Sequence, residues 1–239
     1  MKLKVLGSGS SGNCYIFENE NEALIIECGV HPDEVKKALD YNFSKVSGII
    51  ITHEHGDHAK YIGHLLAHGL DVFASNGTHN SFRGLGWHRR NIIEVGKPNQ
   101  IGGFEVNSFD VEHDASEPFG FLISHNDFGK MVFCTDSKSI PYKFKDLDHI
   151  LIEANYDFNL ISKSAIRDRV FQNHMEIDTT IKFLENNDLS NVKNIVLLHL
   201  SDSNSNEKEF EQRVQEVAPN CNVLVAKTGL ELELINEIF

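Results

Sequence analysis

The stretch Ile49-Ile50-Ile51-Thr52-His53-Glu54-His55-Gly56-Asp57-His58 decides how this chain is read. A β-branched apolar run stops abruptly at three histidines and two carboxylates within six residues. The run has the character of a buried strand, so the polar cluster sits where that strand ends. Strand ends facing a crevice are where α/β proteins place their chemistry. Imidazole and carboxylate donors together suit zinc, manganese or iron, and the order His-x-His-x-Asp-His at a strand end predicts a metal site rather than a solvated histidine loop.

The same event recurs along the chain. Apolar strand-like runs end at or near His113, Asp136, Glu153 and His199. One such ending is coincidence; the series predicts that these ends converge on one rim. Two histidines four apart, His64 and His68, lie in a helix expected over Ala59–Gly69. That spacing can hold a metal, but helix surfaces carry such pairs routinely, and they are read as surface residues.

At 239 residues and 41% hydrophobic, the chain can bury a core as one α/β domain over residues 1–239. A formal charge of -13 argues against a surface that grips long nucleic acid through its phosphates. A small anionic substrate drawn to a cationic centre stays compatible, as does a nuclease with a local basic groove. None of Cys14, Cys28, Cys134 and Cys221 forms a Cys-x-x-Cys pair, so neither a zinc knot nor a disulfide framework is expected. Residues 1–6 lead straight into a glycine-serine turn without a signal-peptide pattern, and no apolar run reaches bilayer length. The expected location is cytosolic, without membrane association.

Further strands are expected over Leu3–Gly7, Cys14–Phe17, Ala23–Cys28, Asp71–Ala74, Ile92–Val95 and Phe104–Phe109, and again over Phe119–Ser124, Lys130–Cys134, His149–Glu153, Asn194–Leu198 and Cys221–Ala226. Helices are expected over Pro32–Leu39, Ser164–Phe171, Asp178–Asn186 and Asn206–Val217. Strands precede helices in each half, which gives the pattern a duplicated look. The loop Ser8-Gly9-Ser10-Ser11-Gly12-Asn13 could bring backbone N–H groups to a phosphate, which makes Ser10, Ser11 and Asn13 candidate substrate contacts. It lacks phosphate-loop or dinucleotide spacing, and alone it reads as a turn. The segment Asn76–Arg90 carries Trp87 and three arginines, Arg83, Arg89 and Arg90, which could stack on a base and pair with phosphate or could form a solvated rim.

The motif His53-Glu54-His55-Gly56-Asp57-His58 followed by His113, Asp136 and His199 resembles the metallo-β-lactamase-fold hydrolases along essentially the whole chain. That resemblance implies a four-layer αββα sandwich of two similar halves. It implies one divalent ion on His53, His55 and His113, a second on Asp57, His58 and His199, and Asp136 shared between them. A shared carboxylate suits two ions about 3.5–4 Å apart, zinc in the first instance with manganese as the alternative. Glu153-Ala154-Asn155 and Asn173-His174-Met175 are similar to two motifs of the phosphodiesterase branch, the one containing ribonuclease Z. The resemblance implies catalytic roles for Glu153 and His174 beside the phosphate, with Asp57 at the same centre.

The opening Gly-Ser-Gly-Ser-Ser-Gly-Asn and the His-Asp-Ala and His-Leu-Ser patterns resemble two groups, YycJ-type DNA exonucleases and phage anti-Pycsar phosphodiesterases. The charge and the compact length favour hydrolysis of 3′,5′-cyclic mononucleotides, with immune evasion as its purpose, over a DNA or RNA end. A thioester hydrolase of the glyoxalase II type shares the ligand set, and a protein that only sequesters a nucleotide is a third reading. The resemblance also implies a homodimer, with Asn76–Arg90 as the lid. One departure stands out: Glu27-Cys28-Gly29 replaces the usual Asp-x-Gly.

Overall fold

The computed structural model describes residues 1–82, 87–161 and 171–236, with the side chain of Trp87 excepted. Within them lie two seven-stranded sheets. The first contains β1 (Lys2–Gly7), β2 (Cys14–Glu18), β3 (Ala23–Ile26), β4 (Val46–Ile50), β5 (Val72–Ala74) and β6 (Arg90–Ile92). The second contains β7 (Asn99–Ile101), β8 (Phe104–Asp110), β9 (Phe119–His125), β10 (Gly129–Cys134), β11 (His149–Glu153), β12 (Asn194–Leu198) and β13 (Asn222–Val225). From the end of the chain, β14 (Glu231–Glu233) returns to pair with β1 in the first sheet.

Read from β14 to β6, the first sheet has three antiparallel pairings followed by three parallel ones. Read from β7 to β13, the second has the same succession. The duplicated look of the sequence therefore corresponds to two halves of one design. Neighbouring residues alternate between cores, as the two-residue period of a strand requires. Ile50 packs between the sheets with Phe17, Phe121 and Val196, whereas Ile49 and Ile51 face the outer core. Strand segments buried on both faces must be apolar, which is why β3 is apolar throughout and β4, β11 and β12 carry the apolar runs Ile49–Ile50, Ile150–Ile152 and Ile195–Leu198.

The outer face of the first sheet is covered by α1 (Pro32–Ala38), α2 (Gly56–Ala59) and α3 (Ile62–Ala67), through Val35, Ala59, Ile62 and Leu65. A further helix, α4 (Asn76–Ser81), follows β5. On the second sheet, α5 (Ile177–Glu185) and α6 (Glu207–Val217) bury Phe183, Leu184, Phe210 and Val214 against Ile150, Ile152, Ile195 and Leu197. The result is the expected four-layer αββα sandwich.

Several local expectations change. The helix expected over Ala59–Gly69 is split, because the Tyr61 N–H leaves the helical ladder to bond the Cys28 carbonyl at 3.1 Å. The loop expected over Asn76–Arg90 begins with α4, capped by Ser75, whose Oγ accepts from the Thr78 N–H at 3.0 Å. Its two described arginines are not a free cationic rim. Arg89 pairs with Asp71 at 3.2 Å, and Arg90 donates to the carbonyls of His79 and Phe82, while Arg83 lies outside the described residues. The strand expected over Ile92–Val95 is β6, two residues earlier, paired with β5. The helix expected over Ser164–Phe171 falls outside the described residues except for Phe171.

Candidate metal centre

Strands β10, β11 and β12 run parallel and adjacent, and they deliver Asp136, Glu153 and His199 to one end of the second sheet. Across from them β3 and β4, also parallel, deliver Glu27 and the histidine loop. Glu27, Asp136 and His199 each have a left-handed backbone, at φ 67°, 45° and 53°. Such a conformation is uncommon for these residue types, costs on the order of 1 kcal/mol or more each, and concentrates at functional sites. Gly29 allows the two loops to meet, since a Cβ there would stand 1.7 Å from the Asp57 carbonyl oxygen.

All seven sequence-nominated ligands come together. His53, His55, His113 and Asp136 present ligand atoms within 4.8 Å of one another, and so do Asp57, His58, Asp136 and His199. Asp136 belongs to both groups. Its Oδ2 lies 3.1 Å from His58 Nε2, 3.7 Å from His113 Nε2 and 3.8 Å from His53 Nε2, and its Oδ1 lies 3.3 Å from His199 Nδ1. Asp57 Oδ2 lies 3.3 Å from His58 Nε2 and 3.4 Å from His199 Nε2. His64 and His68 belong to neither group; they pack on Tyr61 and Phe43.

The donor set fits a pair of cations. His53 is buried and its Nε2 has no hydrogen-bond partner. His113 donates from Nδ1 to the Asn173 carbonyl at 2.9 Å, which leaves Nε2 as a lone pair, and that lone pair faces His55 Nδ1 at 3.1 Å. Imidazoles oriented through their other nitrogen are the usual preparation of a metal ligand. The carboxylates also demand positive charge. Burial pushes Asp136 up, but the charges of His199 and His58 outweigh it and hold the carboxyl well below its usual range. Burial likewise pushes Asp57 up, and hydrogen bonds from His199 and His58 hold it well below. Burial draws the His199 imidazole down, yet the Asp136 charge and the bonds to Asp57 and Glu153 lift it to about 10. Divalent ions satisfy the same demand.

Around the ligands stands a supporting layer that the sequence left largely hidden. Glu27 is buried, lies 3.5 Å from His58 Nδ1 and accepts from the Thr52 N–H at 3.3 Å, so the longer acid in place of aspartate still backs the histidine loop. Glu54 accepts from the Ser116 N–H and Oγ at 2.8 and 2.7 Å, tying the histidine loop to the loop of His113. Asn155 donates to the His199 carbonyl at 2.7 Å.

The cavity at this centre has a volume of about 250 Å³ and is lined by Ser10, Asp57, Asp136, His174, His199 and Ser201, among others. Asp114 and Asn155 also line it, and sequence reasoning had given neither a role there. Of the expected substrate contacts, Ser10 and His174 face it. Asn13 does not: it is fully buried, and its Nδ2 lies 3.1 Å from His58 Nε2 and 3.5 Å from Asp57 Oδ2, which makes it a support for both. Ser11 opens onto a neighbouring cavity. Glu153 is also wholly buried. Its Oε1 meets His174 Nδ1 at 2.7 Å, and its Oε2 accepts from the Ser137 and Met175 N–H groups at 2.8 and 3.2 Å. It orients His174 rather than touching what the cavity holds.

A family model for the metallo-beta-lactamase superfamily matches residues 7–136, more than half of the chain. The chain belongs to that superfamily. With membership goes its class, a metal-dependent hydrolase. Among curated proteins it is similar to exodeoxyribonuclease YycJ of Bacillus anthracis, 28% identical over 91% of this chain and 89% of that protein. It is also similar to exodeoxyribonuclease WalJ of Streptococcus pneumoniae, 29% identical over 85% of this chain and 83% of the relative. Among solved structures, YhfI of Bacillus subtilis superposes with a TM-score of 0.74 at 18% identity, covering 97% of this chain and 98% of that one. The short form of human tRNase Z superposes with a TM-score of 0.70 at 17% identity, covering 99% and 100%. These structures share the fold. All four cysteines are free and buried, and no helix among the described residues is long and apolar enough to cross a membrane.

Proposed function

We propose that this chain is a dinuclear phosphodiesterase acting on the end of a nucleic-acid strand. The observation that carries the reading is His174: it faces the cavity of the two ligand groups while its Nδ1 is held by Glu153. A proton carrier opposite paired cation sites is what cleavage of a P–O bond to a poor leaving group needs. One ion would be held by His53, His55 and His113, the other by Asp57, His58 and His199, with Asp136 common to both. Bound there, two zinc or manganese ions supply Lewis-acid polarisation of the phosphate and acidify water.

The chain's own residues do the rest. Burial draws His174 down, but the Glu153 charge and hydrogen bond outweigh it and raise the ring's affinity for a proton. With Nδ1 bonded to Glu153, the proton for the departing oxygen is at Nε2. Asp57, kept ionised, is a ligand and orienting group rather than a proton carrier. Ser10, Ser201 and Asn155 line the cavity with hydroxyl and amide groups for the non-bridging oxygens.

Whole-length similarity to exodeoxyribonucleases supports the strand end as substrate. A second reading, 3′,5′-cyclic mononucleotides with a role in evading antiphage defence, is favoured by the charge of -13 and the small cavity. Homodimerisation accompanies either reading, supported by exposed Ile92 and Val95 on and beside β6, the last strand of its sheet. Zinc- or manganese-loaded protein is assayed on bis(p-nitrophenyl) phosphate, single-stranded DNA, cyclic mononucleotides, a glutathione thioester and nitrocefin, with and without chelator. Phosphodiester turnover that vanishes in Asp136→Asn, with the protein still folded, is the expected result. Turnover of the thioester or lactam alone sinks the reading, and an intact nucleotide recovered after binding would make the protein a sequestering one.

A further inference from the structure

A second cavity of about 840 Å³ adjoins the metal cavity, and Ser201 lines both. Its near wall is the glycine-serine loop, through Ser8 and Ser11, and its other wall is the segment after β12, through Ser203 and Ser205. The two walls are locked together at the metal centre. Ser8 Oγ accepts from the His199 N–H at 3.0 Å and from the Tyr15 hydroxyl at 2.7 Å. The two cavities therefore flank this contact and share Ser201 in their linings.

The chemistry of the larger groove is distinctive in this molecule. Hydroxyls are the commonest side-chain group on its walls, and its charged members are two acids, Asp202 and Glu207, and two lysines, Lys208 and Lys227, of which Lys227 pairs with Glu207. That balance stands against 35 acidic and 22 basic residues in the whole chain. Leu160, 44% exposed, adds an apolar flank, and Phe158, 54% exposed, lies two residues before it. Hydroxyl and lysine donors beside an apolar face suit a sugar–phosphate strand with unstacked bases.

We propose that this groove is a binding subsite for single-stranded nucleic acid, holding the nucleotides that adjoin a phosphodiester placed in the metal cavity. The inference rests on the phosphodiesterase reading and adds to it the form of substrate. Serine hydroxyls donate to phosphate and sugar oxygens, Lys208 neutralises a phosphate, Lys227 joins it by exchanging its ion pair with Glu207 for one with phosphate, and Leu160 packs on a base. A cyclic mononucleotide occupies the metal cavity alone and leaves the groove unused.

The test compares wild-type protein with the double variant Lys208→Glu/Lys227→Glu and with Ser203→Trp, none of which touches the metal ligands. Binding is read by fluorescence anisotropy of labelled single-stranded oligonucleotides from dinucleotide to octanucleotide, and turnover on the same series and on bis(p-nitrophenyl) phosphate. In wild type, affinity and kcat/KM rise with length. In the lysine variant the octanucleotide Kd rises about tenfold with a shallower salt dependence, while turnover of the minimal ester is unchanged. Affinity independent of length, octanucleotide binding unaffected by both variants, or equal loss on octamer and minimal ester overturns the groove. If no phosphodiester is hydrolysed at all, the catalytic reading fails, and the anisotropy series still decides the groove.

Discussion

His174 and Glu153 form the sharpest residue-scale arrangement in the cavity. The imidazole stacks on His199 with ring centroids 5.3 Å apart, and its Nδ1 meets a carboxylate sealed from water. A buried carboxylate raises the partner's proton affinity and selects which nitrogen faces the substrate. The sign of the consequence follows. If protonated His174 assists the leaving group, activity falls as pH rises through its pKa, and Glu153 holds that limb at higher pH. Glu153→Gln removes the charge but keeps the shape. We expect kcat to drop about 10–100-fold and the alkaline limb to move to lower pH, with the acid limb in place. A pH–rate profile on a phosphodiester checks this. Loss of rate without movement of the limb would mean that Glu153 serves only the packing of the Met175 and Ser137 backbone.

At the scale of elements, the site is a meeting of loops, and their ties decide its rigidity. Glu54 joins the loop between β4 and α2 to the loop after β8, so it fixes His55 relative to His113. Burial pushes its carboxyl up, but the two bonds from Ser116 hold it below its usual range. Glu54→Ala should weaken metal binding by about tenfold or more, while Glu54→Gln, which retains the acceptor, stays near wild type. Zinc competition with a chromophoric chelator measures both; equal loss in the two variants would point to charge rather than tethering. The tie also marks the limit of what the sequence discloses. Most of the nominated ligands were legible because they follow apolar runs in β4, β10 and β12, each parallel to a neighbour, whereas His113 follows the alternating, antiparallel β8. Glu54 was not, since its partner Ser116 lies 62 residues away and nothing local signals the bond. Asn13 was misread for a similar reason: a glycine-serine loop advertises exposure, yet this side chain turns inward to Asp57 and His58. Helix α4 could have been found, because Ser75 with Thr78 is an ordinary capping pair. Strand β14 could not, being three residues whose pairing partner begins the chain.

At the scale of the whole molecule, the candidate site lies at the carboxyl ends of the parallel strands, and the opposite ends hold a polar seam of their own. His149, Asn194 and Asn222 stand in register across β11, β12 and β13. Asn222 Nδ2 donates to Asn194 Oδ1 at 2.9 Å, and Asn194 Nδ2 donates to His149 Nδ1 at 3.0 Å. An imidazole accepting at Nδ1 is the neutral form, and burial drives its pKa down to about 4. The unfolded chain takes up that proton near pH 6.5. Because the folded value is depressed, the stabilisation is complete above about pH 6.5 and is lost progressively as pH falls towards about 4. The loss amounts to roughly 3 kcal/mol for this one group, a large part of a domain's stability. Urea unfolding of the metal-free protein at pH 7.5, 6 and 5 should therefore show a fall in midpoint, and His149→Gln should flatten that fall across the same window. The seam is remote from the metal ligands, so adding zinc should raise the midpoints without changing how His149→Gln differs from wild type. A variant whose stability declines with acid as steeply as wild type would mean that His149 already carries its proton in the fold.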